Sequence, residues 1–364
     1  MTKVLILSNH MDAHARIVLL GLKLKGITAA RWIPENYLKS QKSNFKVSPL
    51  NNDELHLNDG HQNLDLMDYD AVWFRRQAIP KLSQNIHSND QDFVFNENMS
   101  HMRAIWFALE KKAFCVNPIS SYYKANSKLL QLQLAKQLGL FFPETLISNN
   151  LEDLKTFIKK NQPNETIYKT FVPNAWEEND EMFSFYTTVI SEDLLPSSSV
   201  LALTPGIYQK RINKQFEVRA TFFGNTNISV KIVNSAEDVD WRLKSATSGL
   251  KIEPITLCKE IENKCLLMMK ELGIVFGCFD FIVTDDNQYV FLEVNEMGQF
   301  LWIEELLPEL KMLDNFCNLF LSANFNQQSK IYPPINQQEI LNSNEYKNFL
   351  QKDNLSLLED KLKI

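Results

Sequence analysis

Asp280, Glu293 and Asn295 form the constellation with the clearest chemistry. Asp280 lies in Phe279-Asp280-Phe281-Ile282, and Glu293 and Asn295 lie in Leu292-Glu293-Val294-Asn295. The intervening Asp285-Asp286-Asn287 reads as a turn, so the two segments fold back as a hairpin. Period-2 alternation puts Glu293 and Asn295 on one face of their strand, and Asp280 on the neighbouring strand can point the same way. Three oxygen donors on one face suit a magnesium ion carrying a nucleotide's phosphates, because hard cations take carboxylate and amide oxygens and leave positions for phosphate. Three unrelated polar residues on a solvent-facing strand would leave a similar trace, but apolar residues frame each of these.

Lys128 and Lys169 form a second pair, one on an amphipathic helix and the other inside the strand-like Tyr168-Lys169-Thr170. Two cations from different elements can neutralise phosphates as point charges; singly, each also reads as a surface lysine. A third cluster comprises Glu217-Val218-Arg219, Lys231 and Asp240-Trp241-Arg242. Arg219, Lys231 and Arg242 are its catalytic candidates, and a salt-bridged strand is the plainer alternative. Arg75-Arg76, at the end of an apolar strand, and Asp240 are candidates for binding substrate, or in the arginines' case for rimming the sheet. His10, Asp12 and His14 have ligand-like spacing, but they straddle a strand end and a helix start, where polar caps are ordinary.

The composition narrows the classes. The chain has 364 residues, 45% hydrophobic and 23% charged, with a net charge of −6. That is material for two or three packed modules and not for a disordered chain. The mild acidity argues against a general electrostatic grip on nucleic acid or an anionic membrane. Cys115, Cys258, Cys265, Cys278 and Cys317 make no CxxC pair, which predicts reduced thiols and a cytoplasmic setting. The N-terminus runs straight into Val4-Leu5-Ile6-Leu7 without an export signal, and no apolar run reaches membrane-spanning length. Only 10 glycines are present and no glycine-rich phosphate loop, so a nucleotide must be held by other means. HExxH and GxSxG are absent as well.

The elements that must position these residues fall into three modules. Residues 4–7, a helix from Ala13 to Lys25, strands at 71–74 and 114–116, and a helix at 97–112 predict an α/β domain over 1–118, with the Asn/Gln/Ser-rich tract at 40–63 as a loop or excursion. Residues 119–205 predict a small α+β unit, with a helix from Ser127 to Leu138, another at 151–160, and strands at 167–171 and 183–190 around a mobile polar loop, Asn174 to Glu181. Residues 206–324 predict a larger α+β module with strands at 206–211, 217–223, 228–233, 279–284 and 289–294 and a helix at 257–272. Residues 325–364 read as a polar linker and a terminal helix.

Three modules, two isolated lysines and a D…ExN set without a phosphate loop resemble the ATP-grasp ligases. The similarity is to the peptide-modifying branch, the microviridin-type (graspetide) ligases and the grasp-with-spasm peptide maturases. It is carried by Val72-Trp73-Phe74-Arg75-Arg76, Glu217-Val218-Arg219, Asp240-Trp241-Arg242, Phe279-Asp280-Phe281 and, above all, the run Phe291-Leu292-Glu293-Val294-Asn295-Glu296-Met297-Gly298-Gln299-Phe300-Leu301-Trp302-Ile303-Glu304. The resemblance implies an ATP-grasp fold, in which an N-terminal pre-ATP-grasp α/β domain precedes two α+β subdomains that clamp ATP.

It further implies that Lys128 and Lys169 contact ATP phosphates, that the strand at Gln209, Lys210 and Ile212 supplies the adenine hinge, and that Glu217 holds ribose. Arg219 and Arg242 would face the phosphate and acyl-phosphate region, with Asp280, Glu293 and Asn295 on Mg2+, as two ions. Lys210 stands where such hinges commonly carry an acid, which leaves adenine to backbone groups. Glu296-Met297 replaces the Pro-Asn usual in microviridin-type ligases, which favours the grasp-with-spasm side. The implied activity joins Asp/Glu carboxylates of a ribosomal precursor peptide, with leader and core, to Ser/Thr hydroxyls or Lys amines. The implied partners are that peptide, a SPASM radical-SAM protein and a second copy in a homodimer, with neither nucleic acid nor membrane. A free-standing ligase adding a glutamate-like unit, and a non-catalytic peptide-binding protein on the same scaffold, are the competing readings.

Overall fold

The structure is a computed structural model that describes residues 2–36, 41–59, 63–76, 82–83, 85–172, 175–178, 181–233, 250–322 and 332–352. The chain opens with β1 (Lys3–Leu7), α1 (Ala13–Leu24), β2 (Thr28–Trp32), β3 (Lys42–Lys46), β4 (Glu54–Asn58), β5 (Asn63–Asp65), β6 (Ala71–Phe74), α2 (Gln91–Lys112) and β7 (Phe114–Val116). The apolar strands β1, β6 and β7 join β2 in a parallel sheet of order β2-β1-β6-β7. The tract expected as a loop forms a separate antiparallel sheet, β3-β4-β5. Its Asn- and Gln-rich composition hides a period-2 pattern in which Leu55, Leu57 and Leu64 are buried and their neighbours exposed. The helix α2 begins six residues before its expected start.

Next come α3 (Ile119–Asn126), α4 (Lys128–Gln137), β8 (Thr145–Ser148), α5 (Leu151–Asn161), β9 (Thr166–Lys169), β10 (Ala175–Glu178), β11 (Glu181–Ser184), β12 (Thr188–Ile190), α6 (Ser198–Leu201) and β13 (Gly206–Lys210). The Ser127 side chain accepts the Leu130 amide and starts α4. β12-β9-β13-β8 is an antiparallel sheet packed through Tyr208 on Leu154, Phe157, Ile158 and Leu201. The expected loop at 174–181 instead contributes to an antiparallel pair, β10 with β11, and the single strand expected at 183–190 is divided between β11 and β12.

The last module contains β14 (Phe216–Phe223), β15 (Thr226–Val233), β16 (Lys251–Ile255), α7 (Lys259–Leu272), β17 (Phe276–Val283), β18 (Tyr289–Asn295), α8 (Leu301–Leu306), α9 (Met312–Ser322) and α10 (Gln337–Asn342). Its antiparallel sheet has the order β16-β15-β14-β17-β18. Alternation sends Phe216, Val218, Ala220 and Phe222 to one face, where they meet Ile261, Cys265, Met268 and Leu272 of α7. On the other face Phe223, Phe276 and Cys278 share a core with Phe300, Phe316 and the apolar side of α1. One core therefore joins the first module to the last.

The segment after α9 packs back on α1. Lys25 is buried with its Nζ 2.6 Å from Asp314 Oδ1, and Asp314 also accepts the Ile335 amide at 2.9 Å. The buried Glu304 carboxylate accepts the amides of Leu313 at 2.7 Å and Gln337 at 2.8 Å. Burial raises the Glu304 carboxyl against those bonds. Gly21 permits the approach, since a Cβ there would lie 2.9 Å from Ile335 Cδ1.

Candidate functional site

The register of the five-stranded sheet sets the site. Arg219 on β14 stands opposite Asp280 on β17, Asp280 opposite Glu293 on β18, and Cys278 opposite Asn295. Directly paired residues share a face, so Asp280, Glu293, Asn295 and Arg219 lie together, with Glu217 two residues from Arg219. A register shift between Asp280 and Phe281 marks a bulge at the first carboxylate, a device that re-aims side chains at sites.

Each carboxylate meets a cation. Arg219 Nη1 donates to Asp280 Oδ1 at 2.8 Å and Oδ2 at 2.7 Å, and its Nη2 donates to the Gln299 carbonyl at 3.2 Å. Burial pulls the guanidinium down, yet the Asp280 carboxylate bonded to it, above all, holds it above its ordinary value. Its Nε is buried without a partner among the described residues. Lys128, the first residue of α4, forms an ion pair with Glu293. Glu217 is buried and paired with Lys214, Nζ to Oε1 at 2.5 Å. A side chain at Gly298 would collide with Cys278 and crowd Arg219, so the run after Asn295 needs glycine there.

Three polar residues that sequence reasoning did not single out hold this strand end. Gln131, one turn into α4, donates to the Val294 carbonyl at 2.8 Å and accepts its amide at 3.0 Å. Asn117 donates to the carbonyls of Phe276 at 2.8 Å and Glu296 at 2.9 Å, while its oxygen accepts the Val275 and Phe276 amides. Asn126 donates to Glu296 Oε1 at 2.5 Å. Burial pushes the Glu296 carboxyl up, against the pull of that bond and of Lys128 and Arg76 nearby.

In the four-stranded sheet, Lys169 pairs with Ile207 and Ile167 with Gln209, so Lys169 and Gln209 share a face. Lys210 pairs with Thr166 and stands on the other face, with Tyr208 and α5. Gln209 is buried; its amide nitrogen donates to Thr145 Oγ1 at 2.9 Å, and its Oε1 has no partner among the described residues. Ile212 is half-buried in the link between β13 and β14.

Two expectations are corrected. Lys231 pairs with Val218, which puts it on the opposite face from Arg219, with its Nζ 4.4 Å from the Phe216 ring centroid. Arg75 is buried: its Nε donates to Asp12 Oδ2 at 3.0 Å and its Nη1 to the Met297 carbonyl, tying the first module to the loop after Asn295. Burial lowers this guanidinium, with Asp12 opposing. Only Arg76 of the pair keeps an exposed side chain. Asp240 and Arg242 lie outside the described residues.

Asp12 also caps α1, accepting the Ala15 amide. His14 Nε2 accepts the amides of Phe300 at 3.2 Å and Leu301 at 3.3 Å, and burial, with Arg75 adding to it, holds the imidazole at about 3. Neither residue is arranged as a ligand, and among the described residues no group of three or more His, Cys, Asp or Glu side chains is set to hold a metal alone. Asp280, Glu293 and Asn295 fit the other kind of site, an all-oxygen partial set completed by phosphate, which is the donor chemistry of Mg2+.

Comparison with known proteins agrees with this architecture. Residues 3–123 match the family of the MvdD pre-ATP grasp domain. The macrocyclase MdnC of Microcystis aeruginosa MRC, solved bound to its precursor peptide MdnA, is 28% identical, with a TM-score of 0.76 over 88% of this chain and 100% of that one. A RiPP-associated ATP-grasp ligase of Chryseobacterium gregarium, solved with ADP and a leader and core peptide, is 23% identical, with a TM-score of 0.79 over 92% of this chain and 100% of that one. The ligase PsnB, solved with Mg, ADP and a variant of its minimal precursor, shares the fold at 18% identity, with a TM-score of 0.67 over 89% and 99% of the two chains. No curated protein matches the chain. The fold is the ATP-grasp fold, and with a pre-ATP-grasp domain at its start the chain is an enzyme of the ATP-grasp ligase type.

Proposed function

We propose that this enzyme uses ATP and magnesium to activate Asp or Glu side chains of a ribosomal precursor peptide as acyl phosphates. A Ser/Thr hydroxyl or Lys amine of the same peptide attacks the acyl carbon, forming an intramolecular ester or amide with ADP and phosphate released. The observation that carries this reading is the common face of Asp280, Glu293 and Asn295, with Arg219 and Lys128 on its carboxylates. The peptide ligases with which the chain shares its fold support the peptide as substrate.

In this reading Asp280, Glu293 and Asn295 hold two Mg2+ ions, which when bound neutralise phosphate charge and polarise the transferred phosphoryl group. Lys128 and Lys169 bind phosphate oxygens, Gln209 Oε1 suits an adenine amine, and Glu217, oriented by Lys214, takes ribose. Arg219 stabilises the charge that develops on the departing phosphate. Arg242 acts at the acyl phosphate, and Arg76 and Asp240 contact the peptide. Closing the β10–β11 hairpin over the cleft keeps water from hydrolysing the intermediate. The same resemblance implies a SPASM radical-SAM partner and a homodimer, and the cysteine pattern implies a cytoplasmic setting; among the described residues no helix is long and apolar enough to cross a membrane.

The test is intact mass spectrometry of a precursor peptide encoded beside this gene, after incubation with the protein, ATP and magnesium. Loss of about 18 Da per linkage, one water, is expected from electrophile activation. An unchanged peptide mass with ADP released would favour a small-molecule acceptor.

A further inference from the structure

Glu296 follows the strand that carries Glu293 and Asn295. Its side chain is enclosed, only 4% exposed. The carboxylate accepts Asn126 Nδ2 at 2.5 Å, and its carbonyl accepts Asn117 Nδ2 at 2.9 Å. Asn126 is the last residue of α3, Ser127 caps α4, and Lys128 is the first residue of α4. One turn on, Gln131 grips both backbone groups of Val294. The strand end and the helix start are thus bound at two corners, Glu296 with Asn126 and Val294 with Gln131, and the Lys128–Glu293 pair lies between them.

We propose that Glu296 is a positioning residue that fixes the Asn126–Lys128 junction and so sets the Lys128 ammonium at the phosphate-binding position. The inference rests on the reading of Lys128 as a phosphate ligand. Without the bond the junction is freer to move, and ATP binding must order a lysine that the bond otherwise holds in place.

Steady-state kinetics with ATP varied tests this. Glu296→Ala raises KM for ATP about five- to tenfold with a smaller change in kcat, the scale of one net hydrogen bond. Glu296→Gln keeps an acceptor for Asn126 and restores KM to within about twofold of the parent. In a Lys128→Ala background, Glu296→Ala adds no further rise, because the two act as one unit. Persistence of the full effect in that background, or failure of Gln to rescue, would overturn the proposal. An unchanged KM in Lys128→Ala alone would instead overturn the phosphate role of Lys128. If Glu296→Ala does not fold, Asn126→Ala breaks the same bond from the helix side and carries the same comparison.

Discussion

The five-stranded sheet is packed into a large apolar cluster on each face, whereas the β12-β9-β13-β8 sheet contributes Tyr208 as one of only five buried residues in its cluster. The strands differ likewise: β14 and β17 have eight residues each, and the strands of the smaller sheet have three to five. The difference matches what each sheet carries. Asp280, Glu293 and Asn295, the residues proposed to hold metal, stand on the sheet whose side chains are locked by phenylalanine packing and by Arg219 Nη1 bonded to both Asp280 oxygens, which suits a ligand set that must keep its spacing. Lys169 and Gln209 stand on the lighter sheet, whose small core leaves it freer to move when a nucleotide is enclosed.

The largest expected effect breaks the rigid side of the comparison at its centre. Glu293→Gln keeps the size of the side chain but removes a metal-binding charge, and kcat for ATP turnover falls by about 10³-fold or more while the thermal melt stays near that of the parent. Phe276→Ala empties a position 5.0 Å from the Phe316 ring and costs about 3–5 kcal/mol, read as a fall in the urea midpoint at constant slope. Arg219→Lys retains the charge but loses the second nitrogen that holds the Gln299 carbonyl and orients the cation, and kcat falls about 10²-fold with a small change in KM.

Leu154→Ala sharpens the contrast. It costs about 2–3 kcal/mol, and hydrogen exchange locates the loss: amides of β9 and β13 exchange faster while those of β14 and β17 keep their protection. Uniform loss of protection would mean that the two sheets unfold as one unit.

The smallest effect is a pH dependence at the seam between the first and last modules. His14 is held at about 3 in the folded chain, against about 6.5 when unfolded. Between those values the unfolded chain binds a proton that the folded one does not, so stability falls as pH drops from about 6.5 towards 3. His14→Gln keeps an acceptor for the Phe300 and Leu301 amides but does not titrate, and its melting temperature changes less between pH 7 and pH 5.

Sequence periodicity reached the residues whose chemistry depends on alternation. Glu293 and Asn295 two apart, and Asp280 across a turn, could be placed on one face because a strand permits no other arrangement. The same reasoning failed for Lys231, since its face depends on pairing with Val218, a long-range register that no local pattern records. Asn117 and Gln131 escaped notice because a side chain that satisfies backbone groups of a distant strand has no period of its own. The β3–β5 sheet was obscured by composition, its three buried leucines spread through a polar tract. The packing of residues 332–352 on α1 depends on Lys25, Asp314 and Glu304, charged residues whose burial only the fold reveals. The Asn174 to Glu181 stretch was read by polarity alone, and pairing of β10 with β11 overrides that signal.

The most direct test of the account is trapping with hydroxylamine. Enzyme, precursor peptide, magnesium and ATP are mixed with hydroxylamine, and peptide and nucleotide products are followed together. The account predicts ADP, and a peptide hydroxamate at an Asp or Glu side chain, heavier by about 15 Da, because an activated carboxylate is captured by the added nucleophile. Formation of AMP, or ADP release with no hydroxamate on the peptide, would contradict it.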